Sequence, residues 1–299
     1  MTIKIKRLLR YENRVILFLL PSLIGLGLFY VVPFGISIYF SLIDNAVSRQ
    51  FVGLDNFIST WNNEAFALAV RNTLVFMGVS IPLNMAIALG LAMTLKPMGA
   101  KVRRVLMVFF LMPLVIPSGS VVFFWRHLLA FNGMLNRWIF TYVPDGWLPY
   151  EWMPVGGWFN ADSAMAFVIG IFLWKNVGFN MILFQAGLDF IPKQYYEVAA
   201  IEGAGKIRTF WSVTWVYLGP TFLLVLILSV VNSFKVFREI YLLTGTHTNQ
   251  RIYLLQHFLN NQFAMLNYQR MASASVFVFG FILVLVLLLY KMQQRVSYT

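Results

Sequence analysis

The chain has 299 residues, of which 60% are hydrophobic and only 11% charged, and its mean hydropathy is +0.73. Soluble domains carry roughly 25% charged residues, so this composition excludes a soluble domain with an anchor and indicates a polytopic membrane protein. The net charge of +12 then reads as topology signals beside membrane spans rather than as a nucleic-acid surface, and the absence of cysteine excludes disulfides and thiolate metal sites.

Residues 1–14 hold Lys4, Lys6, Arg7, Arg10 and Arg14 and read as a cytoplasmic tail. The apolar run at about 15–42 is longer than the roughly 7–15 residues of a signal-peptide core and lacks an Ala-x-Ala site. It is expected as a retained first span, kinked by Pro21, Gly25, Gly27 and Pro33. The polar stretch 43–66 contains Phe51-Val52-Gly53-Leu54-Asp55-Asn56-Phe57, read locally as a loop that packs Phe51 and Phe57 onto the protein. A second span is expected at about 67–95, interrupted by Pro82 and Asn84, and a third at about 105–129 beyond a short basic turn, 96–104. Pro113 and Pro117 lie inside the third. Prolines within spans are tolerated where neighbours satisfy the freed carbonyls, so these two argue for a packed bundle.

The segment 130–162 is expected as an outer loop, with Trp138, Trp147, Trp152 and Trp158 among Pro144, Pro149 and Pro154. An aromatic belt at headgroup level is one explanation; a surface for a soluble partner is the other. A fourth span, about 163–188, carries Trp174, Lys175, Asn176, Gly178, Asn180 and Gln185. A fifth, about 213–237, carries Asn232, Ser233 and Lys235 toward its outer end, and a second outer loop follows at 238–270. The sixth, about 271–290, precedes a tail, 291–299, with Lys291 and Arg295. Each run is long enough, since about 20 helical residues cross a 30 Å core. The two tails, the 96–104 turn and the 189–212 loop hold more than half of the 23 Lys and Arg, which places both termini and that loop in the cytoplasm.

The 189–212 loop is too polar to cross a bilayer, yet it joins two of the most apolar segments. Pro192 can open a helix there. Glu197, Ala200, Ile201 and Ala204 then share one face, which is small and nearly flat. Gly203 and Gly205 weaken the helix where the chain must turn back toward the membrane. A short exposed helix of this kind suits docking by another protein.

This loop resembles the EAA loop of ABC importer permeases, whose pattern is E-A-A, three residues, G, nine residues, I-x-L-P. Glu197, Ala199 and Gly203 match; Val198 replaces the first Ala, Val213 the Ile, and Trp215-Val216 the Leu-Pro. The resemblance extends over about 15–290. It includes the 51–57 stretch, Arg71-Asn72-Thr73, the run from Ser233 to Gly245, and the run from Tyr268 to Ser275. The chain is thereby similar to the first permease of the pair in binding-protein-dependent sugar importers. That resemblance implies an all-α membrane protein with six transmembrane helices in the type I ABC importer permease fold. It implies a cytoplasmic (plasma) membrane location in a bacterium and several partners: a second permease, two ATP-binding subunits, an extracellular substrate-binding protein and membrane lipid, with no nucleic acid. It further implies that Glu197, Ala199, Ala200 and Gly203 couple the permease to the ATPase. The expected substrate is an oligosaccharide.

No enzyme chemistry is legible. Gly203-Ala204-Gly205-Lys206 lacks the spacing of a P-loop, and neither H-E-x-x-H nor G-x-S-x-G occurs. His127, His247 and His257 are scattered and read as loop or interface residues rather than ligands, so no metal or cofactor is expected. Polar groups within spans are costly and tend to face a bundle interior or cavity. Asn176, Asn180, Asn232 and Lys235 are the candidates for the substrate path, with Trp174 and Tyr241 for stacking on a sugar face. Helix–helix hydrogen bonding is the alternative for each Asn. Lys175 and Lys235 raise the further idea of an acidic sugar, such as a uronate-containing oligosaccharide; the alternative for Lys235 is that it snorkels to the interface. A different class, a self-contained secondary transporter or channel, usually shows paired intramembrane acids. Here no acid lies centrally in any expected span.

Overall fold

The structure is a computed structural model that describes residues 18–45, 47–142, 158–160, 162–245 and 248–297. The basic residues expected in the N-terminal tail, Trp147, Trp152, the three loop prolines and His247 lie outside the described residues. Twelve helices are named here: α1 (Phe18–Ser41), α2 (Asp55–Trp61), α3 (Glu64–Leu95), α4 (Ala100–Val115), α5 (Ser118–Leu129), α6 (Met134–Tyr142), α7 (Ala164–Phe190), α8 (Lys193–Ile201), α9 (Trp215–Lys235), α10 (Phe237–Thr244), α11 (Leu255–Ala264) and α12 (Tyr268–Ser297). Helices α1, α3, α7, α9 and α12 lie in segments long and apolar enough to cross a membrane. The stretch expected as one span over 105–129 is divided between α4 and α5, which meet at 90° across Ile116–Pro117. Pro117 has no N–H to continue the helix and holds Ile116 extended, at ψ 128°. Pro113, by contrast, sits inside α4.

The chain forms two compact units, Met1–Asn63 with Leu259–Phe281, and Glu64–Phe258 with Ile282–Thr299. In the first unit, the Thr60 and Ser273 hydroxyls bond to each other at 2.6 Å in a fully buried position. Phe57 packs edge-on against Phe277 at 5.4 Å. Phe51, expected to pack in the same way, is exposed and instead makes an isolated bridge to Ile43. The Asn56 amide donates to the carbonyls of Ser41 and Ile43, tying the loop to the end of α1.

The second unit is built around α7, which packs on α3, α4 and α9. Helices in lipid gain little from burying apolar surface against each other, so close approach and polar bonds must hold them. Both occur on α7. The Asn180 amide donates to Asn84 Oδ1 of α3 at 2.6 Å and to Ser229 Oγ of α9 at 2.9 Å. Gly178 lets the α4 backbone touch α7: a Cβ there would stand 1.9 Å from the Phe110 carbonyl oxygen. Gly187 similarly accommodates Thr221 and Leu218 of α9. Asn72 donates to the carbonyls of Gln250 and Tyr253, and Thr73 accepts from the Leu255 amide, fastening the segment after α10 to the start of α3. Trp158, expected in an outer loop, is buried against Leu129 and Ile139 with its indole N–H on Asn136, whereas Trp138 is exposed.

His257 is also buried, with its ring against Phe237 and its Nδ1 accepting from the Leu254 amide. Burial pushes its pKa down from the usual 6.5 to about 4. The neutral ring is therefore the form the fold prefers. Its contribution to stability is fully present above pH 6.5 and is lost as pH falls through about 4.

Two outcomes are expected from unfolding of the purified protein. Gly178→Ala lowers stability by about 1–3 kcal/mol through overpacking, while Gly170→Ala, inside the same helix and meeting nothing within 4 Å, does not lower it. Between pH 7 and pH 5 the melting temperature of the wild type falls, and His257→Gln loses less over the same range.

Candidate functional site

Two regions of the second unit gather the residues that sequence alone singles out. The first is the connection from α7 to α9. Pro192 caps α8 in an extended conformation, so the helix begins at Lys193, one residue after the proline expected to open it. At the other end Gly203 adopts φ +74°, its N–H donates to the Ala200 carbonyl, and the Ala204 N–H donates to the Ala199 carbonyl. This is a Schellman closure, which needs a left-handed residue just past the helix and which glycine adopts without strain. Gly203 therefore serves the turn itself; a Cβ on it would touch nothing within 4 Å.

Of the predicted coupling residues, Glu197, Ala200 and Gly203 are exposed. Ile201, on the same face, is 86% exposed. Ala199 points the other way and is buried in the core with Leu188, Ile191 and Val213. Nearby, Arg103 meets Asp189 at 3.4 Å and Gln185 donates to the same carboxylate at 3.0 Å.

The second region is a cavity of about 340 Å³ at the α4–α5 break. Ile116, Pro117 and Ser118 form one wall, Lys175 and Asn176 of α7 another, and Asn232, Lys235, Arg238 and Glu239 a third. Glu239 is only 4% exposed and is paired with Lys175; Ser118 Oγ donates to the same carboxylate oxygen at 3.1 Å. Lys235 donates to Asn232 at 3.0 Å and is exposed, as is Arg238.

Of the predicted substrate-path residues, the cavity thus brings together Asn176, Asn232 and Lys235. Asn176 donates to the Phe172 carbonyl one turn back. Asn180 lies outside the cavity lining and is engaged between helices. Trp174 sits against Phe124 and Trp125, and Tyr241 against Phe237; neither lines the cavity. Sequence reasoning missed Glu239, because it assigned residues after 237 to an outer loop. The available signal was the i, i+4 spacing of Lys235 and Glu239 in a helical register, yet the carboxylate reaches Lys175 on another helix instead. Among the described residues no group of His, Asp and Glu is arranged to hold a metal ion.

These features define a multi-pass helical membrane protein with a polar cavity at a broken span and an exposed helix between two spans. Residues 86–298 match the family described as the inner membrane component of binding-protein-dependent transport systems, and the chain belongs to that family. It is 27% identical over 298 residues to the sn-glycerol-3-phosphate transport system permease protein UgpA of Agrobacterium fabrum, covering 96% of this chain and 98% of that protein. It is 30% identical over 234 residues to the trehalose/maltose transport system permease protein MalF of Thermococcus litoralis, covering 77% and 76%. A chain of a bacterial alginate ABC transporter, crystallised in complex with an alginate pentasaccharide-bound periplasmic protein, superposes with a TM-score of 0.79 at 21% identity over 98% of both chains. The fold is that of the type I ABC importer permeases. Family membership sets aside the reading as a self-contained secondary transporter.

The ion pair at the cavity can be tested by a double-mutant cycle. Removing one partner of a buried pair leaves an uncompensated charge and costs about 3–5 kcal/mol; Lys175 retains some access to solvent, so Glu239→Gln is expected at the lower end. Lys175→Met combined with Glu239→Gln recovers most of that loss in thermal unfolding.

Proposed function

We propose that this chain is one of two permease subunits of an ATP-driven carbohydrate importer. A second, related permease completes the pathway, two ATP-binding subunits hydrolyse ATP, and an extracellular binding protein delivers the sugar. ATP hydrolysis resides in those separate subunits, and this chain contributes transport alone. The transmembrane domain is 15–290, with short tails on either side and both termini in the cytoplasm, as the distribution of Lys and Arg supports.

The observation that carries the reading is α8. It is closed at both ends, exposed on the Glu197–Ala200–Ile201 face, and joined to α7 by only Ile191 and Pro192. Small side chains let another backbone approach closely, and Glu197 offers a carboxylate to a basic group on the ATPase. Closure of the ATP-binding subunits then displaces α8, and the spans rock about the cavity between inward- and outward-facing arrangements.

Asn176, Asn232 and Lys235 offer hydrogen bonds to sugar hydroxyls in that cavity. The acidic-sugar idea now rests on Lys235 and Arg238, because Glu239 already neutralises Lys175. Relatives named for trehalose/maltose and for sn-glycerol-3-phosphate support a polyhydroxylated solute.

Co-expression with the partner subunits tests the coupling. Ala200→Trp, a change at an exposed position, is expected to weaken ATPase binding about 5- to 150-fold while the permease remains folded, since a bulky ring on a closely approached face costs about 1–3 kcal/mol. Undiminished co-purification would overturn the assignment of this face. Uptake of neutral and uronate-containing oligosaccharides by the Lys235→Met importer tests the charge: selective loss of the acidic ones supports it, and equal loss removes it.

A further inference from the structure

Displacement of so short a helix can reach the long spans only through the few contacts it makes with them. Only Ala199 of α8 is buried. Its remaining attachments are side chains. Tyr195 stacks near Tyr217 of α9 at 4.6 Å. Tyr196 does more. Its hydroxyl bonds to Thr214 Oγ1 at 3.2 Å, and Thr214 is buried in the turn that feeds α9. The Lys96 ammonium sits 4.5 Å from the centre of the Tyr196 ring and 3.4 Å from its hydroxyl. The same ammonium donates to the Leu188 carbonyl at 3.1 Å.

Lys96 directly follows α3, and Leu188 lies in the last turn of α7. The carbonyls of a helix C-terminus carry partial negative charge, so a cation is favoured there. One ammonium thus joins the ends of α3 and α7 to the aromatic face of α8, and the tyrosine hydroxyl extends the link to α9. Four elements meet at one charge.

Two open grooves flank this joint. A cavity of about 450 Å³ flanks it on the side of Met93, Pro97 and Thr214. Another of about 420 Å³ flanks it on the side of Lys193, Glu197 and Ala200. Both are lined by Lys96, Leu188 and Tyr196.

We propose that Lys96 is a positioning residue for energy coupling: through Tyr196 it makes α3 and α7 follow α8 when the ATPase moves it. This rests on α8 being the docking helix, as proposed above. The ammonium donates to the Leu188 carbonyl and the Tyr196 hydroxyl and makes a cation–π contact with the same ring, so three attractions converge on one charge.

The test uses the assembled importer with its ATPase subunits in liposomes. The chain has no cysteine, so Leu74→Cys on α3 and Glu202→Cys, just past α8 and off its Glu197–Ala200–Ile201 face, carry the only spin labels on this subunit. Both positions are exposed. Their separation is measured by pulsed electron resonance with and without MgATP and vanadate. In the otherwise wild-type importer the nucleotide changes the distance distribution. With Lys96→Met the ATPase still co-purifies, but the distribution becomes broad and the nucleotide-dependent population falls about tenfold, the factor expected for losing a charged hydrogen bond. Lys96→Arg restores it, and Tyr196→Phe, which keeps the ring but loses the hydroxyl, gives an intermediate loss. A full nucleotide response in Lys96→Met overturns the proposal, as does loss of ATPase binding in that variant, which would make Lys96 merely structural. If the wild-type subunit itself binds no ATPase, the docking reading fails instead.

Discussion

The structure of the larger unit depends on contacts made by a single helix, α7. Lipid surrounds such helices with a medium as apolar as their own side chains, so burial of leucine or phenylalanine does little to choose one partner over another. Selection falls to the few polar groups and the few positions without a side chain. Asn180 supplies the first, bonding at once to α3 and α9, and Gly178 and Gly187 supply the second toward α4 and α9. Each hydrogen bond of this kind contributes about 1 kcal/mol, so the arrangement is held by the set rather than by any one member.

That arrangement places the two candidate regions on one continuous helix. Lys175 and Asn176 face the cavity at one level of α7, and Leu188 accepts the Lys96 ammonium at another. At a rise of 1.5 Å per residue these levels are about 20 Å apart. No break interrupts α7 between them. The cavity wall opposite is, by contrast, the broken one, where Pro117 frees backbone from helical pairing. Irregular backbone at membrane depth is tolerated where it lines a polar cavity, and here the Ser118 hydroxyl and the Lys175–Glu239 pair supply that polarity. An ion pair satisfied in this way leaves Lys235 and Arg238 as the other cations of the cavity lining.

Much of this was legible in the sequence because hydropathy and helix punctuation are local. The apolar runs located the long helices, and Gly203 marked the end of α8. The break between α4 and α5 was less legible: Pro113 and Pro117 look alike in sequence, yet one is absorbed within a helix and the other ends it, a difference decided by what packs around each. Ala199 matched a motif but faces inward, because a helix in contact with its own core must bury one side. Asn180 and Asn176 are of the same type and one turn apart, and only the positions of Asn84 and Ser229 distinguish an interhelical bond from a cavity wall. Glu239 was hidden for a related reason, since its partner is 64 residues away in sequence.

The turn at Phe210–Thr214, which leads into α9, is π-helical. Such a turn holds one residue more than the α-turn it replaces, and one residue corresponds to about 100° of rotation around the axis. The azimuth at which the chain enters α9 is therefore set by a single surplus residue. Its deletion would leave every span long enough to cross while turning Phe210 and the backbone just before it by about 100° relative to α9, like a key cut correctly but mounted askew on its shaft.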